Sequence, residues 1–66
     1  MYFNDGESCI YNQNGTWVPA TIVRKTKTSW VVKVPGVVRF KYIPFRDDWK
    51  RLDHPWRIIE RSRGYY

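Results

Sequence analysis

The chain has 66 residues, twelve Lys and Arg against six Asp and Glu, and is 42% hydrophobic and 18% aromatic. That length holds one domain, and those proportions argue against a disordered chain. One cysteine, Cys9, and one histidine exclude an internal disulfide and a Cys/His zinc cluster, so neither a metal nor a cofactor is expected.

No apolar run approaches the ~18 residues of a membrane helix. The opening Met1-Tyr2-Phe3-Asn4-Asp5 has no basic stretch followed by an apolar one. With a free cysteine, this leads to an expectation of a cytoplasmic protein, or a nuclear one in a eukaryote, and not a secreted one.

Taken in chain order, β-branched and aromatic residues predict five strands: 8–11, 17–24, 29–34, 37–43 and 56–60. The first two flank Asn14-Gly15, a dipeptide that tolerates positive φ and predicts a tight hairpin. Along the second strand Val18, Ala20 and Ile22 share a face. Pro19 lacks a ladder donor and predicts a bulge or an edge there. Polar Lys25–Ser29 forms the next turn. In Trp30–Val34 the even positions are apolar, which places Trp30 inside and Lys33 outside. Pro35-Gly36 turns the chain again. In Val38–Tyr42 the even positions are apolar once more, so Arg39 and Lys41 are expected to face water. Residues 47–52 read as one helical turn, with an Asp at its N-cap and Lys50-Arg51 at its end. Five short strands with one helical turn before the last describe a small all-β barrel of the SH3-like kind. The barrel is expected over about residues 6–60, with 61–66 as a flexible tail.

Gly6-x-x-Cys9, Asn14-Gly15 and Trp17-Val-Pro-Ala20-Thr-Ile22 resemble the opening of a Tudor domain, over roughly residues 6 to 52. The same segment, followed by a basic strand and Arg57-Ile58-Ile59, is also similar to the C-terminal DNA-binding domain of retroviral and retrotransposon integrases. Both resemblances imply the barrel. The first implies an aromatic cage for methylated Lys or Arg. The cage positions correspond to Val18 and Pro35-Gly36, which leaves Tyr11 and Trp17 as the rings on offer. The second implies DNA binding with little sequence preference.

The charge supports the second implication. Residues 1–23 carry no Lys or Arg, whereas residues 24–66 carry all twelve and four acids, a local net of +8. No acid interrupts residues 24–46. This asymmetry points to a polyanion. Arg24, Lys25, Lys27, Lys33, Arg39 and Lys41 are the expected phosphate contacts, with Trp17 positioned to stack on a base. Arg57, Arg61 and Arg63 add possible tail contacts. The expected function is a non-catalytic nucleic-acid-binding module, DNA or RNA, acting as a monomer or weak homodimer.

The alternative is a protein-interaction module whose basic, aromatic face docks on an acidic partner. A short barrel beginning at its own Met would suit a viral or mobile-element accessory protein. No catalytic residues are assigned. Cys9 reads as a small core residue, and Asp53-His54 are neighbours on a turn, not a base and its orienting group.

Overall fold

The computed structural model describes residues 2–57. Five antiparallel strands run β1 (Ser8–Gln13), β2 (Thr16–Lys25), β3 (Ser29–Lys33), β4 (Lys41–Pro44) and β5 (Leu52–Asp53). A 3₁₀ turn, Phe45–Asp47, and a helical turn α1, Asp48–Arg51, lie between β4 and β5. The strand order is β4-β3-β2-β1-β5, and the sheet curls into a half-barrel. This architecture is compatible with an SH3-like or Tudor-like barrel. Among the described residues no helix is long and apolar enough to cross a membrane.

The β1–β2 hairpin forms as its sequence predicts. Gln13 pairs with Thr16, leaving a two-residue loop in which both Asn14 (φ 51) and Gly15 (φ 89) are left-handed. That is the backbone of a type I′ turn, whose twist matches the strands it joins. The ladder runs past Ser8 in the other direction, where Gly6 N–H donates to the Ile22 carbonyl and Ile22 N–H to that of Glu7. Pro19 opposes Ile10, and β3 pairs with β2 only from Thr21 onward. Pro19 therefore lies where β2 has a neighbour on one side alone, and a missing donor is tolerated there. The bulge falls instead between Ile22 and Arg24.

Directly opposed residues share a face, so the register sorts the core. Cys9, Tyr11, Ala20, Ile22, Trp30, Val32, Ile43 and Leu52 form one cluster with Phe3 and Val34. Trp30 stands in its centre, as strand parity predicts. Phe3 meets it edge-to-face at 5.6 Å and Phe45 meets it at 5.3 Å. The Trp30 indole N–H donates to Asp48 Oδ2 at 3.0 Å, tying α1 to the sheet. Ile10 and Val31 lie on the opposite parity and are also buried, so β1 and β3 are covered on both faces.

Three expectations need correction. The fourth strand begins at Lys41, not at residue 37. Gly36 (φ 85) closes a turn in which Val37 N–H donates to the Val34 carbonyl, and residues 38 and 39 then bend. Val38 is 90% exposed. The Lys33 ammonium donates to the carbonyls of Val37 and Val38, holding this loop off the ladder. The parity of the strand is reversed as a result. Val32 opposes Lys41, Val31 opposes Tyr42 and Trp30 opposes Ile43, so Ile43 enters the core and Tyr42 faces out. A slip of one residue flips every side chain of a strand.

The fifth strand is Leu52–Asp53, not residues 56–60. Leu52 pairs with Tyr11 and is wholly buried. That burial contributes roughly 2–3 kcal/mol, which anchors even a two-residue strand. Trp56 and Arg57 lie in a helical turn, and residues 58–60 fall outside the described residues. Asp47 occupies the N-cap of α1, but its side chain makes no capping hydrogen bond. It sits 3.8 Å from Lys50 instead.

Candidate nucleic-acid interface

The register divides the predicted basic surface into separate places. Arg24, next to the last residue of β2, lies on the outer side opposite Val31 and is exposed. Lys25 opposes Trp30 and lies 5.8 Å from the Tyr2 ring. Lys27 is exposed in the β2–β3 turn. That turn is built by Thr26, whose hydroxyl accepts from the N–H of Thr28 and of Ser29. Phe45 N–H donates to the Thr28 carbonyl at 2.9 Å, which brings the start of the 3₁₀ turn against it. A groove of about 520 Å³ results, with Lys27, Thr28 and Ser29 on one side and Pro44, Phe45 and Arg46 on the other. Arg24, Lys25, Lys27 and Arg46 thus gather at one end of the sheet, with a partly exposed aromatic ring between two of them.

The remaining predicted contacts are elsewhere. Lys33 is half-buried, hydrogen-bonded to the loop it holds, and 5.7 Å from the Phe40 ring. It staples the loop and does not stand free on the outer face of the sheet, where strand parity predicts it. Arg39 is exposed in the 34–40 loop, not on a strand beside Lys41. Lys41 opposes Val32 and so lies toward the concave side of an edge strand.

Trp17 is half-buried and opposes Asn12 at the far end of β2. At ~3.3 Å per residue it is about 23 Å along the strand from Arg24, too far to share a base with that cluster. Arg57 is exposed but sits 3.7 Å from Asp53 and 5.0 Å from the Trp56 ring. Arg61 and Arg63 lie outside the described residues.

Four of the described carboxylates have neighbours other than the basic end. Residues 8–46 contain no Asp or Glu. Glu7 accepts from Asn4 N–H and approaches His54. Asp47 faces Lys50, Asp48 holds Trp30, and Asp53 accepts from His54 N–H and faces Arg57. Among the described residues Arg24, Lys25, Lys27 and Arg46 form no ion pair.

Two other sequence candidates are answered by the geometry. Tyr11 lies in the core and shares its face with Val18, whereas Trp17 shares the opposite face with Asn12. These two rings therefore do not converge on a cage. Burial, aided by the Glu7 carboxylate, pushes the Cys9 thiol up to about 12, so it stays protonated at neutral pH. A thiol nucleophile needs the opposite shift.

Compared with protein-family models, with curated proteins and with solved structures, the chain finds no match in any of the three.

The sequence reading missed Phe45 and Arg46 as members of the basic end. A Pro-Phe-Arg step after a strand carries no periodicity. Only the hydrogen bond from Phe45 to Thr28 reveals that the step closes on the β2–β3 turn.

Proposed function

We propose that this half-barrel binds nucleic acid with little sequence preference, through the end of the sheet formed by Arg24, Lys25, Lys27 and Arg46. One observation carries the reading. Four cations meet at one end of a sheet whose first four strands contain no carboxylate. Cations with no ion pair among the described residues keep their attraction for an external polyanion, and each phosphate they neutralise releases counterions. Phe45, exposed beside Lys27 and Arg46, takes the stacking role that Trp17 is too distant to fill. No Asn, Gln or carboxylate accompanies these cations in the groove, and Arg or Lys placed on phosphates carries no sequence information, which is why little sequence preference is expected.

The test is a titration of tryptophan fluorescence with single-stranded DNA, duplex DNA and RNA across a salt series. Four phosphate contacts give a slope of log K against log salt of about −3.6 on duplex or about −2.8 on a single strand. Lys27→Ala with Arg46→Ala should halve it. Absence of binding to all three ligands at ~50 mM salt refutes the reading.

A second reading is supported by a different surface. Trp49 is 67% and Trp56 50% exposed. Each carries a cation over its ring, Lys50 at 5.3 Å and Arg57 at 5.0 Å. Exposed Trp with Arg or Lys is the side-chain chemistry of interface anchors, here suited to an acidic protein. Substituting Trp49 and Trp56 by Ala would abolish such an interaction and leave the salt slope above unchanged.

A further inference from the structure

At the opposite end of β2 lies a second basic feature. A cleft of about 400 Å³ opens between the β1–β2 turn and α1. Asn12–Gly15 form one wall, and Lys41, Lys50 and Arg51 the other. No carboxylate lines it, and its surface is mostly polar. Lys41 is here because of the reversed parity of β4, which turns it toward the concave side. Lys50 and Arg51 are here because α1 packs against β1.

The walls are held in place. Asn12 Oδ1 accepts from Gly15 N–H at 2.9 Å, and Asn12 Nδ2 donates to the Lys50 carbonyl at 3.3 Å. One side chain therefore braces the hairpin turn and ties it to the helix. A site fixed before binding loses less ordering entropy when a ligand arrives. Lys50 also faces Asp47, but at 3.8 Å between exposed groups such a pair is weak and does not withdraw it. Lys41 and Arg51 form no ion pair among the described residues.

We infer that this cleft binds a terminal phosphate. Three cations exceed what one carboxylate would neutralise and suit a dianion. The Arg51 fork and the amides of Gln13 and Asn14 add donors for its several oxygens. The volume lies within the ~300–1,000 Å³ of small-ligand sites, and a polar lining fits a charged group better than an apolar one. Two sources carry that group: a nucleotide-sized monophosphate and the 5′ end of a strand. The Asn14-Gly15 wall stands about 30 Å along β2 from Lys25, at ~3.3 Å per residue, while Lys41 on the other wall opposes Val32 and lies nearer the basic end. Occupancy of the cleft by a small anion does not rest on the nucleic-acid reading.

The experiment is a ¹H–¹⁵N spectrum of the full chain titrated with sodium phosphate, against sodium chloride at matched ionic strength. Amides of residues 12–15, 41, 50 and 51 should shift and saturate with phosphate and not with chloride. Arg51→Gln, an exposed change, should weaken phosphate at least fivefold, and Lys41→Gln with Arg51→Gln at least tenfold. Lys27→Ala with Arg46→Ala should leave it unchanged.

A nucleoside monophosphate that binds more tightly than phosphate identifies a small-molecule site. A 5′-phosphorylated oligonucleotide that shifts the cleft amides, where its 5′-hydroxyl counterpart does not, identifies a strand end. The inference is overturned if phosphate moves the cleft amides no more than chloride does. It is equally overturned if Arg51→Gln binds phosphate as the wild type does.

Discussion

Replacing Lys33 by Met keeps the aliphatic stem and removes the ammonium. In the fold that ammonium donates to the Val37 carbonyl and, at 3.2 Å, to the Val38 carbonyl, and it lies 5.7 Å from the Phe40 ring. A buried hydrogen bond from a charged donor is worth about 1.5–3 kcal/mol, and an exposed cation–π contact about 0.5–1. Lys33 is half-exposed, so solvent screening reduces the total to about 1–2 kcal/mol. In a domain of this size 1 kcal/mol moves Tm by roughly 4–8 °C, so K33M should melt about 5–15 °C lower. Its nucleic-acid salt slope should match that of the wild type.

Lys27→Met should show the reverse. Lys27 is exposed in the β2–β3 turn with no ion pair among the described residues, so stability should change by less than about 0.5 kcal/mol. The salt slope should become shallower by about 0.7–0.9, one phosphate contact. Both quantities come from tryptophan fluorescence, one on heating and one on titration. If K33M melts with the wild type and loses one unit of salt slope, Lys33 is a phosphate contact. The reasoning that makes it a loop staple would then be wrong.

Three further outcomes follow from the fold. Trp30→Phe loses the indole bond to buried Asp48 and some core volume, and should cost about 2–3 kcal/mol in a urea titration; a loss under 0.5 kcal/mol would show that α1 is not held through this ring. Gly15→Ala meets no atom within 4 Å but must adopt φ 89, so about 1–2 kcal/mol of backbone strain should appear as a lower urea midpoint. Asn at the same position should cost less, since Asn tolerates the left-handed region. The third outcome concerns alkali. The Cys9 thiol is raised by burial first and by Glu7 second, from 9.0 to about 12. The fold thus favours the protonated form. Its contribution is complete below pH 9 and is lost as pH rises toward 12. Between pH 9 and 10.5 the wild type should lose about 1–2 kcal/mol more than Cys9→Ala, measured by denaturant titration at each pH. Parallel curves for the two proteins would mean that the thiol is not desolvated.

The parts of this protein legible in its sequence are those set by neighbours along the chain. Asn14-Gly15 determined the first hairpin, because only two consecutive left-handed residues make that turn. The alternation through Trp30 and Val32 placed a tryptophan in the core, because side chains alternate strictly along a strand. The count of short β-rich segments pointed to a small all-β barrel, and the structure shows five antiparallel strands curled into a half-barrel. The basic residues of 24–46, with no acid among them, made a polyanion the partner to test.

Tertiary structure decided the rest. Lys33 captures two carbonyls of the loop that follows it, and this moves the start of β4 to Lys41 and reverses its faces. Leu52–Asp53 is too short to show any period, and pairing with Ile10 and Tyr11 alone makes it a strand. Phe3 precedes a polar stretch and belongs to no periodic run, and it enters the core only because Trp30 and His54 receive it. Which cations stand together depends on these pairings. Sequence spacing joined Lys33, Arg39 and Lys41. Hydrogen bonds between distant segments instead gather Lys27 with Arg46, and Lys41 with Lys50 and Arg51, because strand register, unlike periodicity, is chosen by the partner strand.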